Sequence, residues 1–437
     1  MIYYNYLQGR EYFPTGGRVR APFWLNRCNS GTDSIVWMKE EDIIVFLYNN
    51  IYLTINALIL SGRFFIGGES MNHEYWMDYC LELASQADNR IRSNPKVGCV
   101  IVKEDRNIGE GYHQIYGEDH AEIKAFKNAK ESVKGATLYV NLEPCSHFGK
   151  TPPCCRRIVE EGISKVVIAM EDPNPLVSGK GIEYLKEQGI EVIVGVREKE
   201  AKELNRIFLY YIKTGLPYIF LKGAMSLDGK IATKTGESQW ISCEESRRLT
   251  HKWRGDYQGI LAGIGTVLKD DPRLTARGHS GENPIRIILD SKLRIPPDAR
   301  VLKEEGETII FYSRGDREKI DLLKKFENVT LKKVSSASSG LDLKEILDTL
   351  GKRQISSVLV EGGADIFDSF FREKIVEEAA LFIAPMIIGG KEAKSLVEGA
   401  GISNLEDAFH FKEIEAEKIG NDFLLRGRKE SLCLQES

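Results

Sequence analysis

From residue 71 onward, apolar and polar positions fall into short regular patterns. Between 75 and 92, Met77, Cys80, Leu81, Leu83, Ala84, Ala87 and Ile91 recur at helical spacing, and Asn94-Pro95 stops the run. Residues 97–102 read as a buried strand, and 135–142 read as another, ending at Glu143-Pro144-Cys145. Short helices are expected over 121–130 and 156–161, the second opened by Pro152-Pro153. Strands over 166–169 and 192–196 flank a helix over 181–188 that Gly189 ends. Strands alternating with helices predict an α/β sandwich.

Residues 197–214 are charged and helix-prone and turn aromatic at Phe208-Leu209-Tyr210-Tyr211, before Gly215 and Pro217 break them. We read this as a connection. A second series of strands follows, over 218–224, 259–262, 285–290, 308–312, 358–360, 379–383 and 423–426, with helical patterns between several of them. Residues 335–340 read as a flexible loop, and no repeat at solenoid period is visible. The expected organisation is a first domain over 71–196, a connecting helix over 197–216 and a second domain over 217–430.

The first 70 residues lack either period. Their apolar run, 43–60, is interrupted by Asn49, Asn50, Thr54 and Asn56. A membrane helix wants ~20 mostly apolar residues, and the run starts late for a signal peptide. We read 1–70 as an extension outside the functional unit, with Met71 as an alternative start. An accessory segment and a membrane anchor are the rival readings.

At 437 residues the chain has room for two or three domains. Its 42% hydrophobic and 28% charged residues are those of a soluble globular protein. A net charge of −4 provides no basic field for nucleic acid. Eight cysteines in so long a chain do not make a disulfide scaffold. The grouping of Cys145, Cys154 and Cys155 points to metal in a reducing, cytoplasmic compartment.

The chemistry concentrates at His120-Ala121-Glu122, Pro144-Cys145 and Cys154. One imidazole and two thiols leave the fourth position of tetrahedral zinc open to water, and the metal lowers the pKa of that water to ~7. Glu122, too near His120 to be a comfortable second ligand, is placed to carry protons to a departing amine. The shorter deaminase signature is H-x-E followed by P-C-x-x-C. Here Ser146 through Pro153 separate the cysteines. Cys155 is a rival to Cys154, and a structural zinc is the bland alternative. Asn94-Pro95-Lys96 before a core strand offers an amide to a substrate ring. His147 reads as a substrate-side group and His113 as a structural histidine.

The second half has no G-x-G-x-x-G. It has Val360-Glu361-Gly362-Gly363-Ala364, a strand running into a helix over 365–371, where glycines let amides approach phosphate. Taken alone, that pattern reads more readily as a simple tight turn. Gly389-Gly390 is a second such turn.

Several motifs together resemble the bifunctional riboflavin biosynthesis deaminase–reductase family. They are Gly111-Tyr112-His113, Gly117-x-x-His120-Ala121-Glu122, the run from Leu142 to Cys154, and Glu171-Asp172-Pro173-Asn174-Pro175. In the second half they are Lys222-Gly223-Ala224-Met225-Ser226-Leu227-Asp228-Gly229-Lys230, Gly236-Glu237-Ser238-Gln239-Trp240, Gly265-Thr266 with Asp270-Asp271-Pro272, and Leu289-Asp290-Ser291. The resemblance runs from about Met71 to about Lys429.

It implies a cytidine-deaminase-like three-layer α/β/α domain followed by a dihydrofolate-reductase-like α/β domain, with one zinc per chain and NADPH. It further implies that His120, Cys145 and Cys154 bind zinc and that Glu122 is catalytic. Ala224, Trp240, Thr266, Asp270, Ser291 and the turn from Gly363 would contact the cofactor. Ser238, Arg254, Leu274, Arg277 and Glu361 would hold a small phosphoribosylaminopyrimidine substrate. Lys222 is either a hydride-site donor or a solvated strand-end cation. A cytoplasmic homo-oligomer that engages neither nucleic acid nor membrane is expected. Two rival readings stand beside it. A nucleic-acid base deaminase with an appended binding domain is opposed by the acidic balance and the reductase motifs. A non-catalytic zinc-stabilised scaffold is opposed by Glu122, since a structural site needs no proton carrier.

Overall fold

The computed structural model describes residues 72–146, 152–174, 178–278, 281–337 and 340–429. The expectations for residues 1–70 and for His147 lie outside them. Among the described residues no helix is long and apolar enough to cross a membrane.

The first sheet contains β1 (Gly98–Lys103), β2 (Arg106–Tyr112), β3 (Thr137–Leu142), β4 (Lys165–Met170) and β5 (Glu191–Val194) in the order β2-β1-β3-β4-β5. β1 runs antiparallel to β2 and β3, while β3, β4 and β5 are parallel. Alternation along each strand separates two apolar faces. Cys99, Ile101, Leu138 and Ile168 face the helices Ala121–Lys127, Cys154–Glu160 and Lys180–Glu187. Val100, Val102, Tyr139 and Val167 face the helix His73–Ser85 and the connection. This is a three-layer α/β/α arrangement.

The sequence pattern missed β2, because Gly109 and Gly111 depress its strand signal. Packing requires both glycines. A Cβ on Gly109 would stand 2.6 Å from the Ala125 carbonyl, and one on Gly111 would stand 2.5 Å from Lys124 Cβ. Their absence of side chains lets the helix bearing Glu122 lie on the sheet.

The helix expected over 75–92 divides. It ends at Ser85, and a 3-10 turn, Asn89–Ile91, follows. Asp88 accepts the Arg90 backbone N–H at 3.0 Å and pairs with its guanidinium, offering the backbone an alternative to helix. The connection likewise splits at Asn205 into Glu198–Leu204 and Arg206–Thr214. Asn205 Oδ1 accepts the Lys96 N–H at 2.8 Å, and its Nδ2 donates to the Lys96 carbonyl at 3.0 Å.

The second sheet contains β6 (Tyr218–Ser226), β7 (Gly259–Gly263), β8 (Ile285–Leu289), β9 (Thr308–Tyr312), β10 (Val329–Lys333), β13 (Ser357–Val360), β14 (Glu378–Ala384), β15 (Glu413–Ile419) and β16 (Asp422–Arg428). Their order is β10-β9-β8-β7-β13-β6-β14-β16-β15. All run parallel up to β14, and the β15–β16 hairpin closes the edge antiparallel. Apolar clusters cover both sheet faces. The loop expected at 335–340 instead carries the short strands β11 (Ser336–Ala337) and β12 (Gly340–Leu341), paired with each other.

Residues Met71–Ser437 form one compact unit. Phe208 and Leu209 pack into the first half, while Ile207 and Tyr210 of the same helix pack on the second. Arg206 also reaches the buried Glu378 at 3.1 Å.

Candidate active sites

His120 precedes the helix Ala121–Lys127, Cys145 follows β3, and Cys154 opens the helix Cys154–Glu160. Their donor atoms lie within 4.8 Å of one another. His120 Nδ1 is 3.5 Å from Cys145 Sγ and 3.3 Å from Cys154 Sγ. Zinc–sulfur and zinc–nitrogen lengths set tetrahedrally give an S···N edge of roughly 3.5 Å, so the three donors fit zinc. The Cys154 backbone N–H donates to Cys145 Sγ at 3.3 Å, which favours thiolate.

Protonation follows the same neighbours. Hydrogen bonding to Cys145 raises His120 to about 9. Cys145 itself is held far below the usual thiol range, first by its bond with Cys154 and, against the opposing push of burial, by His120. Cys154 is pushed up by Cys145 and by burial. Donors that compete for protons in this way suit a dication. Cys155, the rival ligand, is buried among the apolar side chains beneath the helix.

Glu122, in the first helical turn, is 3% exposed, and its carboxyl bonds with Cys154. Burial, then the Cys145 charge, raises its pKa. Asn94 reaches His113, whose ring stands 5.7 Å from that of His120. Its Nδ2 is 3.0 Å from His113 Nε2, and His113 Nδ1 is 3.2 Å from the Asp119 carbonyl. A carbonyl can only accept, so Nδ1 carries the proton and Nε2 accepts from Asn94.

Glu143, not singled out by sequence reasoning, organises the wall of this site. Its carboxylate accepts the N–H groups of Asp172 (3.1 Å), Gly179 (3.0 Å), Gly181 (2.8 Å) and Ile182 (3.3 Å). The only signal in the sequence is an acidic residue directly before Pro144-Cys145. Hydrogen bonds to a charged group contribute ~1.5–3 kcal/mol, so Glu143→Gln should cost at least ~2 kcal/mol. A lower denaturation midpoint would register it; an unchanged midpoint would mean the contacts are dispensable.

The second site lies at the C-terminal ends of the parallel strands. Leu221 and Val360 are in register on β6 and β13, which sets Lys222 beside Glu361. A cavity of about 560 Å³ opens there. Of the expected cofactor residues, Ala224, Thr266, Asp270, Ser291 and Gly363 line it; Ser238, Glu361 and Lys222 line it as well. A Cβ on Gly362 would stand 2.7 Å from Ile366, while Gly363 has open space before the helix Ala364–Arg372. First-turn N–H groups of that helix therefore face the cavity, as a dinucleotide phosphate requires. The cavity fits NADPH in size and lining.

Other expected residues are placed differently. Trp240 is 63% exposed beneath the Arg247 guanidinium and does not line the cavity. Leu274 is buried in the core, so only its backbone can meet a substrate. Gly389 donates its N–H to Asp228 at 2.7 Å and is not offered to phosphate.

Arg254 and Glu361 hold each other. Nε donates to Oε1 at 2.6 Å and Nη2 to Oε2 at 2.8 Å, while Nη1 donates to the Thr275 carbonyl at 3.2 Å. Burial pushes Glu361 up, but Arg254 outweighs it and holds the carboxyl at about 2. Arg277, like Arg254, does not line the cavity. Burial lowers its pKa, and so do the charges of Arg254, Arg273 and Arg300. Such positive potential draws an anion.

Two family models match the chain. The cytidine and deoxycytidylate deaminase zinc-binding region covers residues 70–170, and the RibD C-terminal domain covers residues 217–425. The riboflavin biosynthesis protein RibD of Bacillus amyloliquefaciens is 44% identical over 356 residues, spanning 80% of this chain and 95% of that protein. The chain belongs to the RibD family. The RibD of Escherichia coli (strain K12) is 40% identical, over 81% of this chain and 99% of its own length. Among solved structures, Acinetobacter baumannii RibD superposes with a TM-score of 0.72 at 38% identity, over 82% of this chain and 98% of that one. A Thermotoga maritima diaminohydroxyphosphoribosylaminopyrimidine deaminase/5-amino-6-(5-phosphoribosylamino)uracil reductase gives the same TM-score, 0.72, and identity, 38%, with the same coverage. This RibD-family chain is a bifunctional deaminase and reductase of riboflavin biosynthesis, with zinc in its first half and NADPH in its second.

Proposed function

We propose that the His120 site removes the 2-amino group of 2,5-diamino-6-(5-phosphoribosylamino)pyrimidin-4(3H)-one. The Lys222 site then reduces the ribosyl chain to give 5-amino-6-(5-phosphoribitylamino)uracil. The observation that carries this reading is the convergence of His120, Cys145 and Cys154, with buried Glu122 beside them.

Zinc held by those three residues supplies a water reactive at neutral pH. Glu122 takes a proton from the attacking water and delivers one to the amine nitrogen as the carbon–nitrogen bond breaks. Ammonia leaves, and the ring carbon keeps the oxygen. Asn94 Oδ1 orients the ring by accepting from its amino group. In the second site NADPH supplies the hydride. Lys222 Nζ holds the proton gained by the imine nitrogen on ribose C1. Arg277 and Ser238 bind the phosphoribosyl end, and the Arg254–Glu361 pair fixes the wall between them.

The functional units proposed are 71–196 and 217–430, joined by 197–216, with 1–70 outside both. A chain beginning at Met71 is expected to run both steps at near-full rate; loss of either step would place a working residue in 1–70. We assign the protein to the cytoplasm and to a homo-oligomer. Register sets Ile414, Ala416, Leu425 and Phe423, with Lys418 opposite Phe423, on one face of the β15–β16 hairpin, with Ile414 68% and Phe423 53% exposed. That apolar edge suits a second copy.

A coupled assay tests the reading. Purified protein given the diamino substrate and NADPH should release ammonia and consume NADPH in equal amounts, with NADPH loss lagging. Ammonia release without NADPH loss would leave the second site unassigned.

A further inference from the structure

Asn89, in the 3-10 turn of the first half, is buried and turns its amide on the second. Its Nδ2 donates to the Tyr257 carbonyl at 3.2 Å and to the Glu282 carbonyl at 2.9 Å, and its Oδ1 accepts the Glu282 N–H at 2.8 Å. One planar amide thus closes on both the C=O and the N–H of a single residue. Asp lacks the donor for this, and Leu lacks both groups. Gly281 makes the joint tight. Its φ is 84°, and a Cβ there would overlap the Gly255 carbonyl and Asn89 Oδ1.

Both anchor points flank the arginines of the second site. Tyr257 follows the helix Glu244–Asp256, which carries Arg254. Glu282 lies a few residues beyond Arg277. Leu274 and Arg277 both take left-handed backbone, at φ 53° each. Residues with side chains keep that conformation only where surrounding structure holds it. Among the described residues the hydrogen bonds that hold it are few: Arg254 Nη1 on the Thr275 carbonyl at 3.2 Å, Asn283 Oδ1 on the Ala276 N–H at 3.2 Å, and Asn89 on Glu282. Only the last comes from the deaminase half.

We propose that Asn89 is a positioning residue for the reductase, a deaminase-half side chain that sets the Arg277 turn to receive the substrate's phosphate. Asn89 does not touch the substrate and acts through Glu282. The proposal rests on the reading of Arg277 as the phosphate-binding cation.

The test is steady-state reductase kinetics on the full chain, given the deaminated substrate, with NADPH binding followed by its fluorescence. Asn89→Ala should raise KM for that substrate roughly five- to tenfold, the effect of losing a hydrogen bond or two. Its kcat should stay within about twofold and its NADPH affinity should be unchanged. Gly281→Ala should shift KM in the same direction from the other side of the joint. The double variant should be no worse than the poorer single, because both break one contact. Arg277→Ala separates the two levels of the argument. If it leaves KM unchanged, the phosphate reading fails and the positioning proposal falls with it. If Arg277→Ala raises KM but Asn89→Ala does not, the positioning proposal alone is overturned. Equal losses in kcat and NADPH affinity for Asn89→Ala, or multiplying losses in the double variant, would also overturn it, since Asn89 would then only support the fold.

Discussion

Glu122→Gln is expected to keep zinc and lose deamination. Proton transfer by a positioned side chain contributes roughly 10²–10⁴-fold, and Gln fills the same space without a proton to move. Glu122 is not among the three clustered donors, so metal content by elemental analysis should match that of the unaltered protein. Ammonia release should fall by that factor. A variant that deaminates at full rate would remove Glu122 from the reaction. A variant that loses its zinc would make Glu122 part of what holds the metal, through the bond between its carboxyl and Cys154.

The second large effect is at Lys222. Burial pulls its pKa below 10.5; Glu361 pushes it back up, and Arg254 pulls it down again. A lysine acts as a proton donor only below its pKa, so the reductase rate should fall as pH rises through that lowered value. The alkaline limb should therefore lie below the range of an ordinary lysine. Lys222→Arg should move the limb upward or abolish it. Lys222→Met should reduce NADPH oxidation roughly 10²–10⁴-fold with little change in NADPH affinity. The pH profile of kcat/KM, taken with the deaminated substrate, measures both. An unmoved limb in Lys222→Arg would assign the titration to another group.

How far these sites were legible in the sequence depended on the kind of residue involved. His120, Glu122, Cys145 and Cys154 stood out because thiols and imidazole are scarce, and because Pro152-Pro153 marks the helix start that brings Cys154 into place. β1, β3 and β4 were legible because strands buried on both faces read as mostly apolar runs. β15, Glu413–Ile419, was missed because an exposed edge strand carries charges like any loop. The pairing of Arg254 with Glu361 was invisible for another reason. Family resemblance places both at the substrate, but only the fold shows that 107 residues of separation end in a two-point ion pair. Asn89 had no signal at all, since its partners lie 168 and 193 residues away. Residues that do chemistry announce themselves by type, whereas residues that position others do so only through tertiary contact.

One chain carries two separate catalytic sites that act in a fixed order. Glu122→Gln distinguishes them, with NADPH oxidation followed on two substrates. Given the already deaminated compound, the variant should oxidise NADPH at the rate of the unaltered protein. Given the diamino compound, it should consume almost none. Full-rate NADPH oxidation on the diamino compound, or failure on the deaminated one, would mean that the two sites do not act in that order.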